Sequence, residues 1–223
     1  IMSSDWSSDV CSSDLTVTIE TIIVGPIQVN CFIITCTKTL QTAIVDPGDD
    51  ADNILKVVQS NSLNVKYILL THGHFDHIGA VSPVKSATNA HVLMHKSDEF
   101  LIQSAPMQAR AFGMPAPQTF QPDRFVDEGE KIAFGELKAS VVSTPGHSPG
   151  GICFVFENDV FAGDTLFYGG IGRTDFPGGN YHQLIESIKN KLFVLPDDMK
   201  VHSGHGPTTT IGREKKFNPF INY

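Results

Sequence analysis

Thr71-His72-Gly73-His74-Phe75-Asp76-His77 follows directly on the apolar run Tyr67-Ile68-Leu69-Leu70. A run of that length and composition reads as a buried strand. Three histidines and an aspartate therefore sit where a strand ends and the chain turns, the place at which α/β proteins gather their chemistry. Imidazole nitrogens and carboxylate oxygens are ligands for zinc, iron and manganese. Burying such groups unpaired in an apolar core is expensive. The stretch reads as the centre of a metal site, to be completed from elsewhere in the chain.

Three later segments have the same character. Ser143-Thr144-Pro145-Gly146-His147 holds a histidine in a Pro/Gly turn behind a strand. Phe161-Ala162-Gly163-Asp164 places an aspartate after an apolar strand, and Gly204-His205-Gly206-Pro207 does the same for a histidine. The candidate ligands are thus His72, His74, Asp76, His77, His147, Asp164 and His205. That set is too large for one tetrahedral ion and suits two ions sharing a carboxylate. His91, His95, His182 and His202 have no ligand neighbour at turn spacing and read as ordinary core or surface residues.

Around these ligands, the pattern predicts strands over 16–24, 31–35, 42–45, 65–70 and 90–95, with helices over 51–60, 78–87 and 97–102. The stretch 103–123 carries four prolines and reads as a long loop over the site. A second sheet is expected to start at Arg124, with strands over 124–126, 131–134 and 137–142 and a hairpin of 152–157 with 160–162. Helices over 181–194 and 209–217 bracket a strand at Val201. Two β-rich halves, each with its own helices, fit a four-layer αββα sandwich of two mixed sheets in one domain, an α/β (α+β) fold.

The 223 residues are 41% hydrophobic and 18% charged, ordinary values for a chain that buries a core. The net charge of −8 and the lack of a basic stripe argue against nucleic acid as the main partner. No apolar run is long enough for a bilayer. Residues 1–14, with Ser-Ser-Asp three times over, have neither the positive nor the apolar region of a signal peptide. They read as adapter-derived or disordered sequence ahead of a domain spanning 15–223. Without Asp5, Asp9 and Asp14 the charge of −8 falls to −5. Cys31, Cys36 and Cys153 form no CxxC and no disulfide framework, so free buried thiols in a reducing, cytoplasmic compartment are expected. Cys31 and Cys36 should face opposite sides of one strand.

The ordered set His72-x-His74-x-Asp76-His77, Gly146-His147, Gly163-Asp164 and Gly204-His205 resembles the metallo-β-lactamase superfamily over about residues 15–223. Gly170-Ile171-Gly172-Arg173-Thr174-Asp175-Phe176 and Gly212-Arg213-Glu214, with Asn218-Pro219-Phe220, look like the short single-domain form of hydroxyacylglutathione hydrolase (glyoxalase II). The resemblance implies two divalent ions, zinc first and iron or manganese as alternatives. His72, His74 and His147 would hold one, Asp76, His77 and His205 the other, with Asp164 as bridge. Asp46 would orient a ligand histidine. The implied reaction is thioester hydrolysis, of S-D-lactoylglutathione or a related glutathione thioester. A shared water, its pKa lowered from about 16 toward neutral, attacks the carbonyl while Asp76 holds its proton. The two-domain form carries a further helical domain that helps hold glutathione. Here that contact falls to Arg173, with Arg213 and Lys216 as weaker candidates, and Arg173 has a salt bridge to Asp175 as its plain alternative.

Two other activities share much of this pattern. A persulfide dioxygenase would hold a single iron on His72, His147 and Asp164, but that family usually has alanine where Phe75 stands. A lactonase or β-lactamase would use the same pair of ions on another acyl bond. A non-enzymatic metal-binding module is hard to reconcile with seven ligands around room for a water.

Overall fold

Val17–Val24 (β1), Val29–Cys36 (β2) and Gln41–Val45 (β3) open the chain as an antiparallel meander, in a computed structural model that describes residues 17–221. Residues 1–14, set apart on sequence, lie outside that range. β2 is buried along its whole length. It lies between two strands with both faces covered, which is why Cys31 to Ile34 read as an apolar run rather than an alternating one.

From β3 the sheet continues in parallel through Asn64–Leu69 (β4), His91–Met94 (β5) and Arg124–Phe125 (β6). Parallel neighbours need crossovers. Ala51–Ser60 (α1) supplies the first; Phe75–Ile78 (α2) and Val81–Thr88 (α3) supply the second; Glu99–Ala111 (α4) supplies the third. The helix expected over 78–87 starts late because Pro83 needs the first turn, where its missing N–H is no loss.

The second sheet has the order β14-β13-β10-β9-β8-β7, from Lys131–Phe134 (β7), Leu137–Ser143 (β8), Ile152–Val155 (β9), Asp159–Gly163 (β10), Lys200–Ser203 (β13) and Thr209–Thr210 (β14). Leu166–Phe167 (β11) and Gly170–Ile171 (β12) form a separate small hairpin. Tyr181–Ser187 (α5) and Ile211–Phe217 (α6) complete this half.

Three sequence expectations are corrected. The stretch 103–123 is not all loop: α4 runs to Ala111 through Pro106. Leu101, Ile102, Ala105 and Ala109 bury one face of it, and that burial offsets the hydrogen bond the proline removes. The second sheet starts at Lys131 rather than Arg124, because α4 carries the chain back so that β6 lies parallel to β5. The helix expected over 181–194 is α-helical only to Ser187, and a wider turn over 188–192 keeps Ile188 and Leu192 in the same core as Leu184.

Three apolar clusters correspond to the three spaces of a four-layer αββα sandwich. Ile33, Ile44, Ile68 and Val92 face α1, α3 and α4. Phe32, Ile34, Val45, Leu69, Phe134, Phe154 and Phe161 fill the space between the sheets. Val160, Ala162 and Val201 pack on Leu184, Ile188 and Ile211. The period of two along each strand sorts residues between spaces. Cys31 and Cys36 accordingly fall in different clusters, both thiols free and buried, as is Cys153.

Phe154 is fully buried in the central space. Phe154→Ala is expected to lower unfolding free energy by about 3–5 kcal/mol, measured by urea denaturation.

Candidate metal centre

β3, β4, β8, β10 and β13 all deliver their carboxyl ends to one edge of the sandwich. Backbone bonds stitch the two sheets there: Ile152 N–H donates to the Thr71 carbonyl at 2.9 Å, and Asn30 N–H to the Gly204 carbonyl at 2.8 Å. Asn30 Nδ2 adds bonds to the Ser203 and Gly206 carbonyls. The four ligand-bearing segments are thereby brought together, although up to 133 residues of chain separate His72 from His205.

Asp46 stands behind the ligands. Its backbone adopts φ +48°, a left-handed conformation that aspartate tolerates, and this turns the carboxylate back under the end of β4. Oδ1 accepts from Thr71 N–H at 2.8 Å. Oδ2 accepts from Thr71 Oγ1 at 2.6 Å and from His77 Nδ1 at 3.1 Å. With its oxygens so committed, Asp46 acts as a support although it also lies within ligand reach of His72 and His77.

The proton inventory then fixes the tautomers. Thr71 Oγ1 spends its one proton on Asp46, so His72 Nδ1–H donates to it at 3.0 Å and Nε2 keeps its lone pair. His77 Nδ1–H donates to Asp46, His147 Nδ1–H to the Arg173 carbonyl at 2.7 Å, and His205 Nδ1–H to the Ile27 carbonyl at 3.2 Å. In each of these rings Nε2 is left as a ligand atom, the usual way in which an outer acceptor orients a ligating histidine. His74 presents Nδ1, 2.9 Å from His147 Nε2.

The ligand atoms fall into two groups that fit two cations. His72, His74 and His147 form one, and Asp76, His77 and His205 the other. Asp164 lies between them: Oδ1 is 3.4 Å from His77 Nε2, and Oδ2 is 3.6 Å from His147 Nε2 and 3.7 Å from His205 Nε2. Asp76 Oδ2 is 3.5 Å from His205 Nε2. His72 Nε2, His77 Nε2 and Asp164 Oδ1 are buried with no hydrogen-bond partner. Each such orphan costs about 1–3 kcal/mol, a cost that a coordinated cation removes. A Cβ on Gly204 would collide with Asp164 Oδ1 and His77 Cε1, so only glycine lets the His205 loop close over this point.

Burial and then the neighbouring imidazoles hold His72 well below the usual histidine range and bring His74 down to about 4. Both rings are neutral at pH 7, the form in which an imidazole can bind a cation. Burial works against the charged form of His77, but Asp164 and Asp76 outweigh it and raise its pKa. Burial opposes the charge on Asp164 and Asp76 as well, and the surrounding histidines overcome it, so both carboxylates titrate low. The anionic pair attracts either a proton on His77 or a cation, and metal binding displaces such protons.

Arg173 stacks over the Phe176 ring at 4.4 Å and makes a two-pronged contact with Asp175, Nε to Oδ1 at 3.0 Å and an Nη to Oδ2 at 2.7 Å. Phe176 in turn meets His74 and His147 at centroid distances of 5.4 and 6.4 Å. Arg213 is engaged elsewhere, over the Tyr168 ring and on Glu214. Buried Glu214 accepts from Gly169 N–H, Thr209 Oγ1 and Asn218 Nδ2, and Asn218 Nδ2 also reaches the Gly170 carbonyl. The Gly212-Arg213-Glu214 and Asn218 pattern thus staples the β11–β12 hairpin to α6. His202 stacks on Phe161 and bonds Asp159 at 2.7 Å, a satisfied buried residue.

Sequence reasoning missed Asp98, at the start of the helix expected over 97–102. Its side chain is fully buried. Oδ2 accepts from Gly73 N–H at 3.1 Å and Ser148 Oγ at 2.7 Å, and Oδ1 from Gly150 N–H at 2.6 Å. One carboxylate thus clamps the loop carrying His72 and His74 to the loop carrying His147. Burial raises its pKa despite those three bonds.

With this fold and this ligand set, the chain belongs to the metallo-beta-lactamase superfamily, whose family model matches residues 24–205. It is 45% identical to the hydroxyacylglutathione hydrolase GloC of Haemophilus influenzae over 92% of this chain and 98% of that protein. Among solved structures, BLEG-1 B3 metallo-beta-lactamase superposes with a TM-score of 0.87 at 37% identity, covering 92% of this chain and all of the other. TTHA1623 in a di-iron-bound form gives 0.84 at 39% identity, covering 91% and 100%. The protein is a hydrolase of this superfamily, with histidine and aspartate groups able to hold metal.

Asp98→Asn replaces an acceptor with a donor facing N–H groups. Metal affinity is expected to fall about 10–100-fold, measured by chelator competition, while circular dichroism of the metal-free protein keeps its native shape.

Proposed function

We propose that the protein hydrolyses glutathione thioesters, S-D-lactoylglutathione among them, with two divalent ions. His72, His74 and His147 would hold one ion, Asp76, His77 and His205 the other, and Asp164 would bridge them. The observation that carries the two-ion reading is the trio of buried orphan atoms shared between both groups. A single ion on His72, His147 and Asp164 would leave His77 Nε2 without a partner. The likeness to a protein solved in a di-iron-bound form supports two ions and keeps iron beside zinc as a candidate. The likeness to GloC supports the substrate class.

Two bound divalent ions supply an acidified water and polarise the carbonyl under attack. The chain's residues do the rest. Asp76, held ionised by His77 and His205, accepts the water's proton. Asp46 and the Arg173 carbonyl keep the histidine lone pairs aimed at the reacting centre. Phe176 packs edge-on against the His74 ring, and Phe112 packs on Phe176. The Arg173 guanidinium is exposed, and an exposed ion pair is readily exchanged. Its fork can leave Asp175 for a glutathione carboxylate. A thiolate leaves without needing a strong acid. The buried free thiols support a reducing compartment such as the cytoplasm, and residues 15–223 are read as one domain.

Metal analysis of protein purified without added metal should give about two ions per chain, together with lactoylglutathione turnover. Asp164→Ala should lose most of both; unchanged metal content would overturn the two-ion reading. Arg173→Ala should raise KM several-fold with kcat nearly kept; an unchanged KM would remove Arg173 from the substrate site.

A further inference from the structure

A cavity of about 250 Å³ opens beside the candidate metal centre, and its lining includes Asp76 but none of Arg173, Phe176, His74 or His147. Val24, Ile27 and Val29 of the first hairpin form one wall, Phe75 and Met114 another. Asp76 lines its inner end, so the cavity is continuous with the second ligand group. Asp49 is the other charged residue along it, and no Lys, Arg or His is present among the described lining residues. An anionic peptide is therefore excluded, whereas apolar chain is favoured. Phe112 links this side to the other: its ring lies 5.5 Å from Phe75 and 6.5 Å from Phe176. The site thus has the Arg173–Asp175 ion pair stacked on Phe176 at one end and an apolar, anionic-rimmed cavity at Phe75 and Met114 at the other.

Resting on the thioester reading above, we infer that this cavity takes the acyl chain of the substrate, and that the protein prefers glutathione thioesters of medium-length aliphatic acids to that of lactic acid. A thioester laid across the ligands with its peptide carboxylate at Arg173 directs its acyl group toward Asp76 and into the cavity. A lactoyl group, with one methyl and one hydroxyl, leaves most of that volume unfilled and the apolar wall uncovered. A straight chain of five or six carbons follows the wall from Phe75 to Met114. Phe75, the residue that departs from the dioxygenase pattern, thus takes a role in shaping the acyl site.

The test is a series of acylglutathiones, from acetyl through butyryl to hexanoyl, assayed on the metal-loaded protein alongside S-D-lactoylglutathione. Each added methylene should raise kcat/KM about fourfold, the equivalent of about 0.8 kcal/mol per buried methylene. Met114→Glu, at a half-buried loop position, should flatten the series by lowering hexanoyl turnover more than acetyl. An independent reading comes from the metal-free protein: calorimetry should show S-hexylglutathione binding more tightly than S-methylglutathione, with the difference reduced in Met114→Glu. Turnover that is flat or falls with chain length, with lactoylglutathione still cleaved, would overturn the acyl-chain inference and leave thioester hydrolysis standing. No turnover of any acylglutathione would overturn the thioester reading itself.

Discussion

The carboxylate of Asp46 is the point on which the site's geometry turns. It accepts the Thr71 peptide N–H, the Thr71 hydroxyl and His77 Nδ1. Those bonds hold the end of β4 to the end of β3, set the His77 tautomer and, through Thr71 Oγ1, set that of His72. The carbonyl of the same threonine accepts from Ile152 in the other sheet. A residue held in left-handed backbone conformation thus joins both sheets to the ligand array. Strain at such a position persists where surrounding contacts over-determine it, as three hydrogen bonds to one side chain do here.

The sandwich places chemistry at its edge for a related reason. Its three apolar spaces are filled by alternating residues of paired strands. They leave no room for five imidazoles and the carboxylates of Asp76 and Asp164. Where the strands end, alternation stops, and polar groups can converge without displacing core. Burial there is still deep: His72, His74, His77 and His147 are all buried. His72, His77 and His147 each donate Nδ1–H to an acceptor on one side, which leaves Nε2 facing the other candidate ligands. Asp98 performs the same service from the residue just ahead of α4, tying two ligand loops to each other.

Much of this was legible in the chain. The helix over 51–60 follows from its apolar spacing, because it buries one face of regular period, and the strands beside it from their short apolar runs. What failed to read was set by partners distant in sequence. Pro106 argues locally for a loop, and only the packing of Leu101, Ile102, Ala105 and Ala109 on the first sheet keeps α4 intact through it. β6 is two residues long, and its membership of the first sheet depends on where α4 returns the chain. Asp98 carries no motif, because its importance lies in three donors 25 to 52 residues away. The Gly212-Arg213-Glu214 pattern was visible, but its role as a staple for the β11–β12 hairpin was not.

The sequence by itself determined the layered fold class and the ligand types, since periodicity and residue chemistry are local properties. Tertiary structure decided which nitrogen of each histidine faces the centre, since that depends on acceptors such as the Arg173 and Ile27 carbonyls. It also decided the shape beside the centre, where the first hairpin, Phe75 and Met114 meet in an apolar cavity. Volume and charge in a cavity belong to surfaces brought together by folding, and no single stretch of chain encodes them.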